Sequence, residues 1–482
     1  MKRVLKYLTY LSCILFFTCS DFLVQEPDEQ ISITEQLAYK EGVLTALNGI
    51  YRDIEALFSS REVIYADVQG GNITFTPATN DKLIETPSSI ENSYEFSDRK
   101  DESNYANYYK EIYDIINQAN LILSKFDNYS FFTENEQNQL QAELLTIRAL
   151  MHYQAAIHYA QAYDFTPDAS HLGVVYNTRT LTAGIDFPSR YTLKETYDLI
   201  KSDLNTALSL YTNLQALAGP SISYFNPTTT QALYARIALQ MNDWEQAFTY
   251  ANTVITTSGI SLATQENYVT EWELDEEPVS EIVLEFSAPR TSEGDVSSSI
   301  SGLFIYNSPT NYKSYVASDD LLNLYDPNDI RADMFLEVNL PTLSNSVELD
   351  LPYYFTKKFQ GDAGTSFIRL SEMYLIRAEA NARLSQLDNA LIDLNLIRER
   401  SNLLPLDINS DILENIFLER RRELAFEGHL LFDIIRYNKD VTRNLGCIAN
   451  TCYLSFPSNF FILPIPDSST ELNENIQQNE GY

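Results

Sequence analysis

Two stretches of the chain, ALYARIALQMNDWEQAFTYANTVI (232–255) and LIRAEANARLSQLDNALIDLNLIR (375–398), superpose without a gap. Ala235 falls on Ala378, Met241 on Leu384, Trp244 on Leu387 and Ala247 on Ala390. Each reads as a helix, a short polar turn and a second helix, with alanines where two helices must approach closely. This is the logic of a tetratricopeptide unit, which cannot bury its apolar face alone and stacks on neighbouring units. A repeat of this kind confines the chain to a mostly α, tetratricopeptide-like scaffold of helical pairs.

Helices before residue 215 share the periodicity but have longer connections, as degenerate members of the same series. Leu140, Leu144, Ile147, Met151, Ala155, His158 and Ala162 form one apolar stripe; Tyr197, Ile200, Leu204, Ala207 and Tyr211 form another; Tyr109, Ile112, Ile116, Ala119 and Leu123 a third. Capping boxes are expected at Ser32/Glu35, Thr133/Glu136, Thr192/Glu195 and Thr228/Gln231. The texture changes twice. Residues 58–107 and 259–365 are rich in Ser, Asn, Asp, Pro and Tyr, and the second holds one strand-like run, EIVLEF (281–286). Long irregular insertions in a helical scaffold point to functional loops, with a few short strands. The chain thus divides into a leader (1–18), a tether (19–34), a helical region (35–258) with the insertion 58–107, a loop-rich ligand-side region (259–365), and C-terminal helices with a tail (366–482). Residues 19–482 are expected to make one compact unit.

The leader carries Lys2, Arg3 and Lys6 and then an almost unbroken apolar run, Tyr7 to Thr18, too short to span a bilayer. It meets Cys19, the acceptor position of a bacterial lipoprotein signal; ordinary secretion with Cys19 as an incidental thiol is the alternative. With Cys13 removed and Cys19 acylated, Cys447 and Cys452 remain, and two thiols five apart in an oxidising compartment suit a local disulfide. Charge narrows the partners. Acidic residues number 67 against 33 basic, a net −34, which argues against nucleic acid or anionic lipid as the main partner. Acyl chains would therefore supply the membrane anchor.

Catalytic and metal signatures do not emerge. His152, His158, His171 and His429 form no HExxH, and the chain has no GxSxG, GxGxxG or phosphate-binding loop. DPNDIRAD (326–333) lacks the glycine and terminal glutamate of a calcium loop and reads as a turn. ERRRELAFEGHLLFDIIR (419–436) interleaves glutamates with arginines, as in an ion-paired helix. No enzyme activity, metal or cofactor is expected. Tyrosine, however, is abundant: 32 of 482 residues. A ring in a polar loop offers a flat apolar face and a hydroxyl, which suits a sugar with a C–H face rimmed by hydroxyls. The candidate ligand set is Tyr65, Tyr94, Phe96 and Tyr105 in the first insertion and Trp272, Tyr306, Tyr312 and Tyr315 in the second, with Asp67, Asn72 and Arg290 to fix orientation.

Six motifs, in order, give the chain a family resemblance. CSDFLVQEP (19–27) is similar to the mature start of the SusD/RagB outer-membrane lipoproteins; IYDIINQANLIL (112–123) and IRALMHYQAAIHY (147–159) resemble two of their helices. RLSEMYLIRAEANA (369–382) with LNLIRERS resembles their repeat helix, ERRRELAFEGHLLFDIIR their signature, and LPIPDSSTELNENIQQNEGY (463–482) their closing tail. Leu430 stands where the family usually has a basic residue, and Glu480 where it has proline. The resemblance implies a lipoprotein on the outer face of the outer membrane, lying over a SusC-like TonB-dependent transporter and capturing oligosaccharide for import. The helical face would dock on the barrel while the insertions form the ligand platform. RagB-type relatives take peptides, which is the alternative ligand class.

Overall fold

The computed structural model describes residues 32–182, 184–274, 278–286, 300–360 and 364–482. Among the described residues, nine long helices follow one another through space as they do along the chain: α1 (Lys40–Phe58), α2 (Ala106–Leu123), α3 (Glu134–Tyr159), α4 (Leu193–Leu210), α5 (Pro227–Gln240), α6 (Trp244–Thr257), α7 (Leu370–Arg383), α8 (Leu387–Arg400) and α9 (Ile412–Glu423). Every consecutive pair packs together. Even α6 and α7, separated in sequence by the second insertion, lie against each other. A short helix, α10 (Leu430–Arg436), follows and packs against the turn of helix Tyr65–Gly70 in the first insertion. The aligned alanines explain the approach: Ala235, Ala247, Ala378 and Ala390 are all fully buried.

Three of the four capping boxes form as the spacing predicts, with Ser32, Thr133 and Thr192 each accepting from the third backbone N–H of their helix. The fourth differs. Asn226 caps α5 and Thr229 answers it, while Pro227 takes the first helical position and Thr228 lies inside the helix. Proline is suited to that first position because its missing N–H would be unpaired there anyway.

The region 259–365 is more regular than its composition suggests. Strand β1 (Ile73–Phe75) of the first insertion pairs antiparallel with β5 (Tyr315–Ala317) of the second. The predicted run 281–286 becomes β2 (Ile282–Phe286), paired with β8 (Thr365–Arg369), and β3 (Tyr306–Ser308) pairs with β4 (Asn311–Tyr312). A hairpin of two ten-residue strands, β6 (Phe335–Ser344) and β7 (Val347–Thr356), was not expected from sequence. Its alternation is interrupted by Pro341 and Pro352, which normally demote a strand. Its turn is set by Asn345 and Ser346, both with positive φ, the backbone of a tight two-residue hairpin. Among the described residues no helix is long and apolar enough to cross a membrane.

Candidate ligand-binding face

The second insertion is fastened to the stack by charge. Glu423, at the end of α9, is fully buried and accepts from Arg400 at 2.6 Å, Arg369 at 3.1 Å and Arg331 at 3.1 Å. Arg369 also pairs with Glu281 and, at 2.8 Å, with Glu427; Lys358 reaches Glu427 at 2.6 Å. Arg331 holds Asp329 at 2.8 Å and Glu419 at 2.7 Å. Burial pushes the Glu423 carboxyl up, but Arg400, Arg369, Arg331 and Lys358 pull it well below the usual carboxylate range. The interleaved run 419–436 is therefore an ion-paired element, and DPNDIRAD is the turn that supplies Asp329 and Arg331 to it.

Trp272 belongs to this network and not to a ligand surface. It is 4% exposed, with Lys358 and Arg369 each 5.3 Å from its ring centroid and Phe359 packed edge-on at 5.7 Å. Most of the other candidates are interior as well. Tyr65 packs edge-on against Tyr105 at 4.9 Å and lies tilted against His158 at 5.5 Å, all three buried. Phe75 of β1 fills the space between Tyr94, at 4.9 Å, and Tyr315, at 6.0 Å, and both tyrosines are buried. Asp67 and Asn72 are buried and bonded to each other at 2.6 Å. Asp67 also accepts the Gly428 N–H at 2.7 Å, and Asn72 accepts from Arg421 at 2.8 Å, so the pair fastens the first insertion to α9 and to the segment that follows it. Burial lifts the Asp67 carboxyl to about 6 against the downward pull of the hydrogen bonds from Asn72 and Gly428. Arg290 and Cys19 lie outside the described residues.

Three candidates keep part of their rings in solvent: Phe96, Tyr306 and Tyr312. Tyr306 and Tyr312 stand opposite each other on β3 and β4, their rings 6.4 Å apart and within 19° of parallel. Phe355 of the β6–β7 hairpin supports both, at 5.2 Å and 6.2 Å, and the Tyr312 hydroxyl donates to the Pro77 carbonyl at 3.0 Å. The two rings are thereby fixed before any ligand arrives. Phe96 has φ +54°, and the Arg443 guanidinium lies 4.9 Å from its ring centroid.

A third segment meets the insertions. Cys447 and Cys452 form a disulfide, and the segment 444–452 that contains it is bonded to both insertions. Glu95 accepts the Asn450 N–H at 2.8 Å, Asp320 accepts those of Asn444 and Leu445 at 2.7 Å and 3.1 Å, and the Thr74 hydroxyl donates to the Gly446 carbonyl at 2.9 Å. Sequence reasoning paired the cysteines but could not place their segment here. Leu445 and Ile448 are its exposed apolar tips.

A helical stack whose insertions share one ring-bearing surface is a tetratricopeptide-type binding scaffold. The chain belongs to the SusD/RagB family. The SusD family model matches residues 346–482, and a SusD-like model described as starch-binding associating with outer membrane matches residues 21–239. SusD-like protein P25 of Formosa agariphila is 22% identical over 538 aligned residues, covering 97% of each chain. The starch-binding protein SusD of Bacteroides thetaiotaomicron is 32% identical over 127 residues, 25% of this chain and 22% of that protein. A crystal structure of a SusD superfamily protein from the same organism superposes with a TM-score of 0.77 at 25% identity, covering 91% of this chain and 99% of the other.

Proposed function

We propose that this protein captures oligosaccharide at the outer face of the outer membrane, tethered by acylation of Cys19, and delivers it to a SusC-like TonB-dependent transporter. Binding, with no covalent chemistry, is the whole of its task. The observation that carries the ligand reading is the Tyr306/Tyr312 pair. Two parallel rings are held rigidly by Phe355 and Pro77 on a surface built from both insertions, and rigid rings lose little conformational freedom when a sugar stacks on them. The starch-binding description of the matching family model agrees with that chemistry.

Two experiments test the reading. Glycan-array screening of the mature chain should find an oligosaccharide whose affinity falls about tenfold or more on Tyr306→Ala or Tyr312→Ala, since each removes one stacking face. Binding only to a peptide library would replace the ligand class. Purification of the tagged protein from native outer membranes should bring with it a large TonB-dependent barrel, and its consistent absence would end the delivery model.

A further inference from the structure

The connection between α4 and α5 is longer than a helical stack needs. Residues 211–226 fold back over the start of α5 and leave, against residues 258–260 and Val283, a cleft of about 450 Å³. Sixteen residues line it, and none of them is Asp, Glu, Lys, Arg or His. That is unusual for this chain, in which 21% of residues are charged and charged residues concentrate at the surface. The lining has two parts. Leu214, Ile222 and Ile260 contribute apolar surface over the buried Phe225 and Val283, while Asn213, Ser221 and Thr228 bring an amide and two hydroxyls.

The walls are already set. Gln139 accepts from both the backbone N–H and the hydroxyl of Thr212 at 3.3 Å, Gln215 donates to the carbonyls of Leu217 and Gly219 at 2.6 Å and 2.9 Å, and the Tyr224 hydroxyl donates to the Ala218 carbonyl at 2.9 Å. A ligand entering would not have to order the loop first.

We propose that this cleft is a second carbohydrate site, specific for neutral sugar units and separate from the Tyr306/Tyr312 face, with which it shares no residue. Amides and hydroxyls both donate and accept, as sugar hydroxyls do, and apolar side chains match the C–H face of a pyranose. A uronate, a sulfated sugar or any other ion would leave water for a cleft with no counter-charge, at a desolvation cost nothing repays. The volume lies within the range of small-molecule sites, about 300–1,000 Å³. The choice of carbohydrate over other neutral polyols rests on the function proposed above; the exclusion of charged ligands does not.

The test uses the mature chain in native mass spectrometry with maltotetraose, cellotetraose, laminaritetraose, mannotetraose and tetragalacturonate as probes. In a Tyr306→Ala/Tyr312→Ala variant, which removes the ring-bearing face, at least one neutral tetrasaccharide should still bind. That binding should weaken tenfold or more when Ser221→Trp fills the cleft, and also on Asn213→Ala, which removes one exposed amide without adding bulk. Tetragalacturonate should not compete. Neutral binding unaffected by both cleft substitutions, or competition by tetragalacturonate, overturns the proposal. If the unaltered chain binds a neutral probe but the double tyrosine variant binds none, the cleft proposal falls and the glycan reading stands. If the unaltered chain binds none of the neutral probes, the cleft proposal falls, and the glycan reading falls with it only when the array also finds no oligosaccharide.

Discussion

Glu143 shows what the interior costs in charge. It is 1% exposed, accepting from the Tyr51 hydroxyl at 2.8 Å and the Gln139 amide at 2.9 Å, and burial raises its carboxyl to about 7 against the pull of those two bonds. The folded state therefore holds this proton more tightly than the unfolded chain, whose carboxyl titrates near 4.5. Below about 4.5 the group is neutral in both states and imposes no penalty; as pH rises from there to about 7 the penalty grows to about 3 kcal/mol and then levels off. Glu143→Gln should accordingly stabilise the protein over that window, with the gap in urea midpoints widening from pH 4.5 to 7; a gap independent of pH would refute the assignment. Gly428 makes the opposite kind of prediction. It has φ +79°, and a Cβ there would sit 2.3 Å from the Val63 carbonyl oxygen, so Gly428→Ala should cost more than about 2 kcal/mol by denaturant titration. At this scale the sequence was legible for helix starts and the cysteine pair and misleading for the rings. Tyr65, Tyr94, Tyr105, Trp272 and Tyr315 sit in polar, glycine-poor segments that look like surface loops. Such segments have no helical stripe to bury, so their large rings become their core, and composition alone cannot distinguish a ring that builds a loop from one that the loop presents.

Among elements, α9 has the most unusual task. A helix at the end of a stack normally presents a polar outer face, but α9 buries Glu419, Arg420, Arg422 and Glu423; its two glutamates receive Arg331, Arg369 and Arg400 from elsewhere, while Arg422 pairs with Glu419 and Arg420 with Asp433. Removing the Glu423 charge would leave three buried guanidiniums short of a partner, so Glu423→Gln should cost about 3–5 kcal/mol. Thermal melts would check this, and a loss below 1 kcal/mol would mean the network is redundant. The disulfide loop is a smaller element with a smaller effect. A closed loop this short restrains few unfolded conformations, so Cys447→Ser/Cys452→Ser should lower global stability by only about 2 kcal/mol. Hydrogen exchange should quicken around 444–452 while the helices keep their protection. Repeat helices were readable from their alanines; the β6–β7 hairpin was not, because its two prolines interrupt the pattern a reader would follow.

Across the whole molecule, the two insertions are joined to each other by the β1–β5 pairing and to the stack by a shared apolar core, by the Asp67–Asn72 pair and by the ion network around Glu423. Limited proteolysis of the unaltered chain should therefore leave 300–360 uncut under conditions where Glu423→Gln is cleaved there; equal resistance would show that packing alone holds the insertion. The stack itself was evident from two aligned segments, whereas the meeting of three distant segments depends on tertiary pairing that no local pattern encodes. Because α6 and α7 pack directly, the solenoid has no need of what lies between them, and that stretch looks free to be exchanged. Its arginines and lysine, however, answer carboxylates that the solenoid supplies. A transplanted insertion would have to arrive with its electrical plug matched to the host's socket, so new ligand surfaces can be grafted onto this frame only by cutting outside the charged joint.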